Sequence, residues 1–261
     1  MLNIPGQALE YWITSFVWAF ARISGFMLMF PVTGSFLPTS IRLLMTAVFS
    51  GAVLMAQPWN PPPGFTVSAL SASSMLIALG EFFTGLMFGM VLTLWFSLFS
   101  MAGHTIGLQM GLGMAQMNDP AGGISVTVVS QIYQLAAMLM FFLVDGHTTV
   151  IAIVLESFKT IEPGSFFQVL QSAEQLLHFT GWIFSAALLL AMPALIALLI
   201  INISFGFMSR AAPQLNLLSL GFPLSLLSGL LIICLSFEQF SAPFRRFTRE
   251  AILLLRQLAQ T

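Results

Sequence analysis

The sequence has very little charge. Only 7% of its 261 residues are charged, whereas 58% are hydrophobic, and the mean hydropathy is +0.96. A soluble domain carries roughly a quarter charged residues, so this composition predicts an integral membrane protein. The formal net charge of −1 offers no electrostatic attraction to nucleic acid, and we expect no nucleic-acid partner.

The chain is also poor in the residues that build metal and catalytic sites. Its one cysteine, Cys234, excludes an internal disulfide and a cysteine-based metal site. The histidines His104, His147 and His178 lack metal-ligand spacing, and no phosphate-binding GxxxxGK[ST] motif occurs. No serine has a credible histidine and aspartate context in water. We therefore expect no enzyme activity, no metal and no cofactor.

Long apolar runs are what the sequence has instead. A helix needs ~20 apolar residues to span a bilayer. Six segments qualify, at about 11–31, 41–57, 69–102, 124–155, 178–208 and 215–240. The residues before them include Glu10 and no basic cluster, so we expect no cleavable signal. The prediction is an all-α membrane protein.

A few ionisable residues lie within these segments. Arg22 is near the middle of the first one, where a charge costs ~2.5–3.5 kcal/mol, so it should face protein. Glu81 and Asp145 are its plausible partners, and snorkelling to the nearer interface is the alternative. Asp145-Gly146-His147 interrupts the fourth segment. Two interpretations stay open: a proton relay, or a helix break whose polar groups are hydrogen-bonded inside an assembly.

Small and polar residues predict packing surfaces. Gly85 and Gly89 form a GxxxG pair, which favours close helix contact. A polar turn separates the last two apolar segments and is suited to hydrogen-bonding a neighbour. We assign seven residues to packing between subunits: Arg22, Glu81, Gly85, Gly89, Arg210, Gln214 and Asn216.

The tail after Pro243 is basic and amphipathic. Arg245, Arg246, Arg249 and Arg256 stand among apolar residues, which predicts a helix on the membrane surface. By the positive-inside rule this end should be cytoplasmic.

One stretch breaks the apolar pattern, from Gly103 to Gly123. It combines glycines at four-residue intervals with a run of methionines and an Asn118-Asp119-Pro120 turn signal. Glycine permits bending and methionine fills irregular gaps, so the surface should be soft and uncharged. By composition alone, the stretch is a loop between two membrane helices.

Four motifs follow one another along the chain: FARISGFMLMFPVTGSFLPTSIR, GLQMGLGMAQMNDP, the Gly146-His147 pair and SRAAPQLNLLSLGFPLSL. In this order they resemble the FliR family of the flagellar type III export gate. The resemblance implies a FliP-like helical part over 1–177, a FliQ-like two-helix hairpin over 178–243 and a basic tail over 244–261. It also implies a helical, funnel-shaped hetero-oligomer in which one such chain joins five FliP and about four FliQ copies.

The resemblance further implies a function in the bacterial inner membrane, within the flagellar basal body. With FliP and FliQ, and with FlhB nearby, the chain would form the channel through which unfolded flagellar subunits leave the cell. Membrane lipids would surround it.

The same resemblance implies that the loop matching Gly107–Pro120 plugs the closed pore. Met110, Met114 and Met117 would form a methionine collar, and Gly107, Gly111 and Gly113 would supply its bend. The full set of plug residues is Gly107, Gln109, Met110, Gly111, Gly113, Met114, Met117, Asp119 and Pro120.

Two other functions stay open. One is an injectisome homologue that exports virulence effectors through the same architecture. The other is a stand-alone proton-coupled transporter that uses Asp145, His147 and Glu81, which should show paired broken helices in two similar halves.

Overall fold

The computed structural model describes residues 6–56, 71–113, 127–165, 170–171, 173–211 and 217–260. These ranges contain helices and no strand, so the predicted all-α fold is confirmed. The helices are α1 (Gly6–Met29), α2 (Pro31–Phe36), α3 (Thr39–Ala56), α4 (Ala72–Gln109), α5 (Val128–Leu143), α6 (Gly146–Thr160), α7 (Ala173–Ala211), α8 (Leu217–Phe237) and α9 (Ser241–Gln260).

Four of these helices, α1, α3, α4 and α7, are long and apolar enough to cross a membrane. The pairs α5–α6 and α8–α9 are each bent at a short break, and counting each pair as one span gives up to six. The first break lies at Asp145, whose φ of 53° is in the left-handed region. The interruption predicted at Asp145-Gly146-His147 is therefore confirmed.

Large apolar side chains remain exposed along most helices. Met55 is 88% exposed, Leu143 76% and Leu177 74%. A soluble monomer rarely presents so much apolar surface to water. Together with the spanning helices, this surface identifies a membrane protein.

The helices form two compact units. One comprises Met1–Leu94, Gly146–His178 and Ala251–Thr261, and the other comprises Trp95–Asp145 and Phe179–Glu250. The chain passes between the units four times: inside α4, at the break between α5 and α6, inside α7 and inside α9. We call them the first and second units.

In the first unit, α1 crosses α4 with backbone against backbone. A Cβ added at Gly85 would lie 1.8 Å from the carbonyl oxygen of Arg22, and one added at Gly25 would lie 2.1 Å from that of Phe82. At Gly89 the nearest atom would be Met29 Cβ, 2.6 Å away. The close contact predicted for Gly85 and Gly89 is thus confirmed, whereas the role of Gly25 was missed.

The core of the second unit is aromatic. The ring of Trp95 lies 4.7–5.6 Å, centroid to centroid, from the rings of Phe96, Phe99, Phe141 and Phe244. All five side chains are buried. Aromatic pairs at these distances add stability beyond the area that they bury.

The basic tail forms the predicted amphipathic helix, α9, but the apolar face of this helix is buried in protein and does not lie against lipid. Phe244 and Phe247 are buried in the second unit, and Leu255 and Leu258 in the first. The arginines of α9 are exposed. The hydrophobic pattern located the apolar face correctly, but the pattern alone does not distinguish burial against lipid from burial against protein.

We expect Gly85→Ala to destabilise the protein by about 1–3 kcal/mol or more, because the atom in the way is backbone and the helices must separate. Gly51→Ala is the matched control, since Gly51 is a helical residue of the same unit with open space around it. Thermal unfolding of the purified protein measures both variants. Equal stability of the two variants would show that the close approach of α1 and α4 does not depend on the missing side chain at Gly85.

Candidate functional site

Arg22 lies at the centre of a buried polar cluster in the first unit. Its side chain is fully buried, and its Nε donates to Glu81 Oε2 at 2.6 Å. Its Nη1 donates to the carbonyl oxygen of Ser157 at 2.8 Å, and its Nη2 donates to that of Ile161 at 3.2 Å. The guanidinium also lies 4.5 Å from the ring centre of Phe158. We call these five residues the Arg22 cluster.

The carbonyl groups in this cluster come from the end of α6. The last carbonyls of a helix have no partner within the helix and carry its negative dipole end. Arg22 supplies both hydrogen bonds and a positive charge there. Glu81 neutralises that charge, and its other oxygen accepts from the backbone N–H of Gly164 at 3.4 Å. One ion pair therefore joins α1, α4 and the end of α6.

The predicted pairing of Arg22 with Glu81 is confirmed, and the snorkelling alternative is wrong. The amino-acid pattern did not indicate that the end of α6 completes the cluster, because those acceptors are backbone groups. The contacts shown by Arg22, Glu81, Gly85 and Gly89 all lie within this chain. Within this chain these residues pack helix against helix, and their assignment to packing between subunits stays a prediction.

A second site lies at the end of α4, within the Gly103–Gly123 stretch. We call this stretch the gate segment. Helix α4 is 38 residues long and ends at Gln109. Gly111 follows with a φ of +88°, a conformation that side chains rarely adopt. Its N–H donates to the carbonyl of Leu108 at 3.0 Å. We call Gln109–Gly111 the root of the gate segment.

The earlier glycines of the segment pack α4 against the start of α5. A Cβ at Gly103 would lie 2.7 Å from Ser130 Cα, and one at Gly107 would lie 2.7 Å from Thr127 Oγ1. Ser130 also donates its hydroxyl to the carbonyl of Ser100 at 2.9 Å. Gly107 was expected to bend the chain, but it is buried inside a regular helix. The turn occurs at Gly111 instead.

Met110 was expected in the methionine collar, yet its side chain is only 1% exposed. It fills a notch in α8, where a Cβ at Gly229 would lie 2.5 Å from Met110 Cγ and 2.7 Å from its Sδ. A residue of the collar would have to face the passage. Because α4 ends just before it, Met110 turns into the core of the second unit.

Helix α7 also contacts the root. Asn202 Nδ2 donates to the carbonyl of Gln109 at 3.5 Å, and Asn202 Oδ1 accepts from the hydroxyl of Ser225 at 3.0 Å. The Gln109 carbonyl is one of the unpaired groups at the end of α4, so this contact caps the helix. Sequence reasoning missed Asn202, Ser225 and Gly229, although a lone amide in the apolar run LLIINISF is a recognisable signal.

The remaining predicted residues fall into two groups. Arg210 is exposed near the end of α7, and Gly113 is half-buried. Met114, Met117, Asp119, Pro120, Gln214 and Asn216 lie outside the described residues. Within the described ranges, no cluster of three or more potential metal ligands occurs.

Comparison with known proteins decides the family. The sequence profile described as "Bacterial export proteins, family 1" matches residues 13–251. The chain is 30% identical over 234 residues to the flagellar biosynthetic protein FliR of Pectobacterium carotovorum, covering 89% of this chain and 88% of that one.

The chain belongs to the FliR family of bacterial export proteins. It is 32% identical to the FliR protein of Aquifex aeolicus over 228 residues, covering 87% and 86% of the two chains. With that of Escherichia coli K12 it shares 28% identity over 237 residues, covering 88% and 87%. FliR family membership makes this protein a membrane-located component of flagellar biosynthesis and export.

Removing one member of the buried ion pair should be strongly destabilising. We expect Arg22→Met or Glu81→Met each to cost about 3–5 kcal/mol, because the other group is left buried without its partner. The double variant Arg22→Met/Glu81→Met should recover much of this loss. Thermal unfolding of the purified protein and its yield in membranes measure the effect.

The matched control is Arg249→Met, which removes an exposed arginine of α9. It should change stability by no more than about 0.5 kcal/mol. A double variant as unstable as the sum of the two single ones would show that Arg22 and Glu81 act independently.

Proposed function

We propose that this chain forms, with FliP and FliQ, the channel through which unfolded flagellar subunits cross the inner membrane at the flagellar basal body. One copy would join five FliP and about four FliQ copies, with FlhB nearby. The proposal is supported by membership of a flagellar export family and by the motifs spread over the chain. The observation that carries it is the anchored root of the gate segment, at the end of a 38-residue apolar helix.

The proposed channel must admit unfolded protein and yet remain tight at rest. An uncharged methionine-rich segment suits both demands, because apolar constrictions exclude water and thioether side chains repack around different shapes. In this proposal Met114 and Met117 face the passage, Gly113 gives flexibility, and Asp119-Pro120 ends the segment. The described residues supply its fixed end at Gln109–Gly111.

Together with this function we propose a division of the chain into three parts. These are a FliP-like part over 1–177, a FliQ-like hairpin over 178–243 and a tail over 244–261. Arg210, Gln214 and Asn216 would contact a neighbouring subunit at the turn of the hairpin. The exposure of Arg210 suits this role, since an exposed arginine in a membrane protein is free to meet an acceptor on a partner.

The two alternatives are less well supported. An injectisome homologue would share the architecture, but the relatives compared above are all named as flagellar. A stand-alone proton transporter would need the carboxylate of Glu81, which is committed to Arg22 at 2.6 Å. No specific observation favours either function.

Assembly tests the proposal directly. Co-expression of the tagged chain with FliP and FliQ should yield one complex, and native mass spectrometry should give its stoichiometry. We expect the chain to survive in cells only when FliP is present. Equal yields of a well-behaved monomer with and without FliP would contradict the proposal.

The gate segment has its own test. Deleting Gly111–Gln116 should let resting cells leak small ions while the complex still assembles, because the seal is lost and the α1–α4 crossing is intact. Growth under ionic stress and planar-bilayer conductance measure the leak. A deletion variant as tight as the wild type would show that the segment is a passive connector.

A further inference from the structure

A cavity of about 720 Å³ lies at the elbow between α8 and α9, and all the residues that line it belong to the second unit. Helix α8 is apolar and 21 residues long, about the length of one membrane span. Helix α9 leaves it at a bend of 67°. A spanning helix of this length ends at the level of the phospholipid headgroups, so the bend puts the cavity at that level. We call it the elbow cavity.

Two opposite charges line the elbow cavity. Glu238 lies in the turn between the two helices, and Arg246 lies on the second turn of α9. Both side chains are exposed. Among the described residues neither of them forms an ion pair, with the other or with a third group. A separate cation and anion at one cavity match a zwitterionic ligand, which carries both charges itself.

Two uncharged polar groups also line the cavity. Tyr133 is only 3% exposed, and its hydroxyl forms no hydrogen bond with any residue that the structure describes. Pro193 lies inside α7 and has no backbone N–H, so the carbonyl of Leu189 loses its usual helical donor. Buried polar groups normally have a hydrogen-bond partner, and a bound ligand can supply one to each.

The cavity continues into an apolar surface. Leu189, at its edge, is 61% exposed. Leu188 and Met192, beside it on α7, are 52% and 40% exposed. Contiguous exposed apolar side chains mark a contact with lipid or protein. A ligand with a polar head and apolar tails can therefore place its head in the cavity and its tails along α7.

We propose that the elbow cavity binds the headgroup of a phospholipid with a primary ammonium group, of the phosphatidylethanolamine class. Arg246 binds the phosphate, with the Tyr133 hydroxyl and the positive end of the α9 dipole. Glu238 binds the ammonium group, whose remaining N–H bonds are available to the Leu189 carbonyl. The inference does not depend on the proposed channel, because every group that carries it belongs to this chain.

The same groups discriminate against other phospholipids. Phosphatidylglycerol brings no cation to Glu238. Phosphatidylcholine has a quaternary ammonium group, which has no N–H to donate to a carboxylate or to the Leu189 carbonyl. The volume of the cavity lies within the range of about 300–1,000 Å³ that is usual for small-molecule sites.

The first test measures lipid selectivity. The full chain is purified with any subunits that stay bound, stripped of lipid in detergent, and given equal amounts of the dioleoyl forms of the three phospholipids. Native mass spectrometry then measures the lipid retained. We expect phosphatidylethanolamine to be held about ten-fold more strongly than the other two, because each of them loses a charge-assisted contact. Equal retention of the three would overturn the proposed headgroup.

A competition arm separates the lipid from its free headgroup. Glycerophosphoethanolamine, which lacks the acyl chains, should not displace bound phosphatidylethanolamine at about ten-fold excess, because it cannot contact the apolar surface of α7. Displacement at that excess would show that the cavity takes a soluble headgroup compound, and the assignment to a phospholipid would be wrong.

The second test uses variants of exposed residues, which should fold normally. Arg246→Met should weaken retention of phosphatidylethanolamine about ten-fold. Arg249→Met is the matched control, since Arg249 is an exposed arginine of the same helix that does not line the cavity. Glu238→Gln should keep a phospholipid bound but abolish the preference over phosphatidylglycerol. Equal losses for the two arginine variants would overturn the site, because the lipid would then respond to the charge of α9 as a whole.

The third test identifies the occupant in a membrane. Phosphatidylethanolamine with a photoreactive diazirine in one acyl chain is incorporated into vesicles that contain the assembled protein. Peptide mapping should find the label on α7 at 188–192, and Arg246→Met should reduce it at least five-fold. Label that is equal in the two proteins would overturn the site. Absence of label from α7 would show that another subunit covers the elbow, and would overturn it as well.

Discussion

The pairing of Arg22 with Glu81 is the constraint on which the first unit depends. A charge at membrane depth is tolerated only with partners, and here the partners come from two other segments, α4 and the end of α6. The guanidinium donates to the carbonyls of Ser157 and Ile161 at the end of α6, the first of which also accepts from the N–H of Ile161. Burying the pair thus fixes the positions of three segments that are far apart in the sequence.

That pairing is possible because the helices can approach one another so closely. Gly25 and Gly85 remove side chains where α1 and α4 cross, which places Arg22 and Glu81 within hydrogen-bond distance. The second unit uses the same device, since Gly103 and Gly107 admit α5 and Gly229 admits Met110. Without a hydrophobic driving force between helices in lipid, such close packing is the main source of association.

The sequence predicted features that depend on one residue or on local periodicity. The helical class, the break at Asp145, the Arg22–Glu81 pair and the Gly85–Gly89 contact belong to this group. The sequence did not predict partners that are backbone groups, such as the Ser157 carbonyl. It also did not predict the direction of a side chain just after a helix ends, as at Met110. The sequence analysis also placed the apolar face of α9 against lipid. Hydrophobic periodicity shows which face of a helix is buried, but not whether lipid or protein covers that face. The family motifs indicated the export function, which composition alone could not.

Helix α9 has a consequence for biosynthesis. Its first half fills the second unit with Phe244 and Phe247, and its second half fills the first unit with Leu255 and Leu258. The ribosome makes this helix after every other described one. Neither core is complete until translation has passed Ser241, so the earlier helices must wait in the bilayer with part of their apolar packing unmade. The last packing contacts of both units are therefore made only after the rest of the described chain has been synthesised.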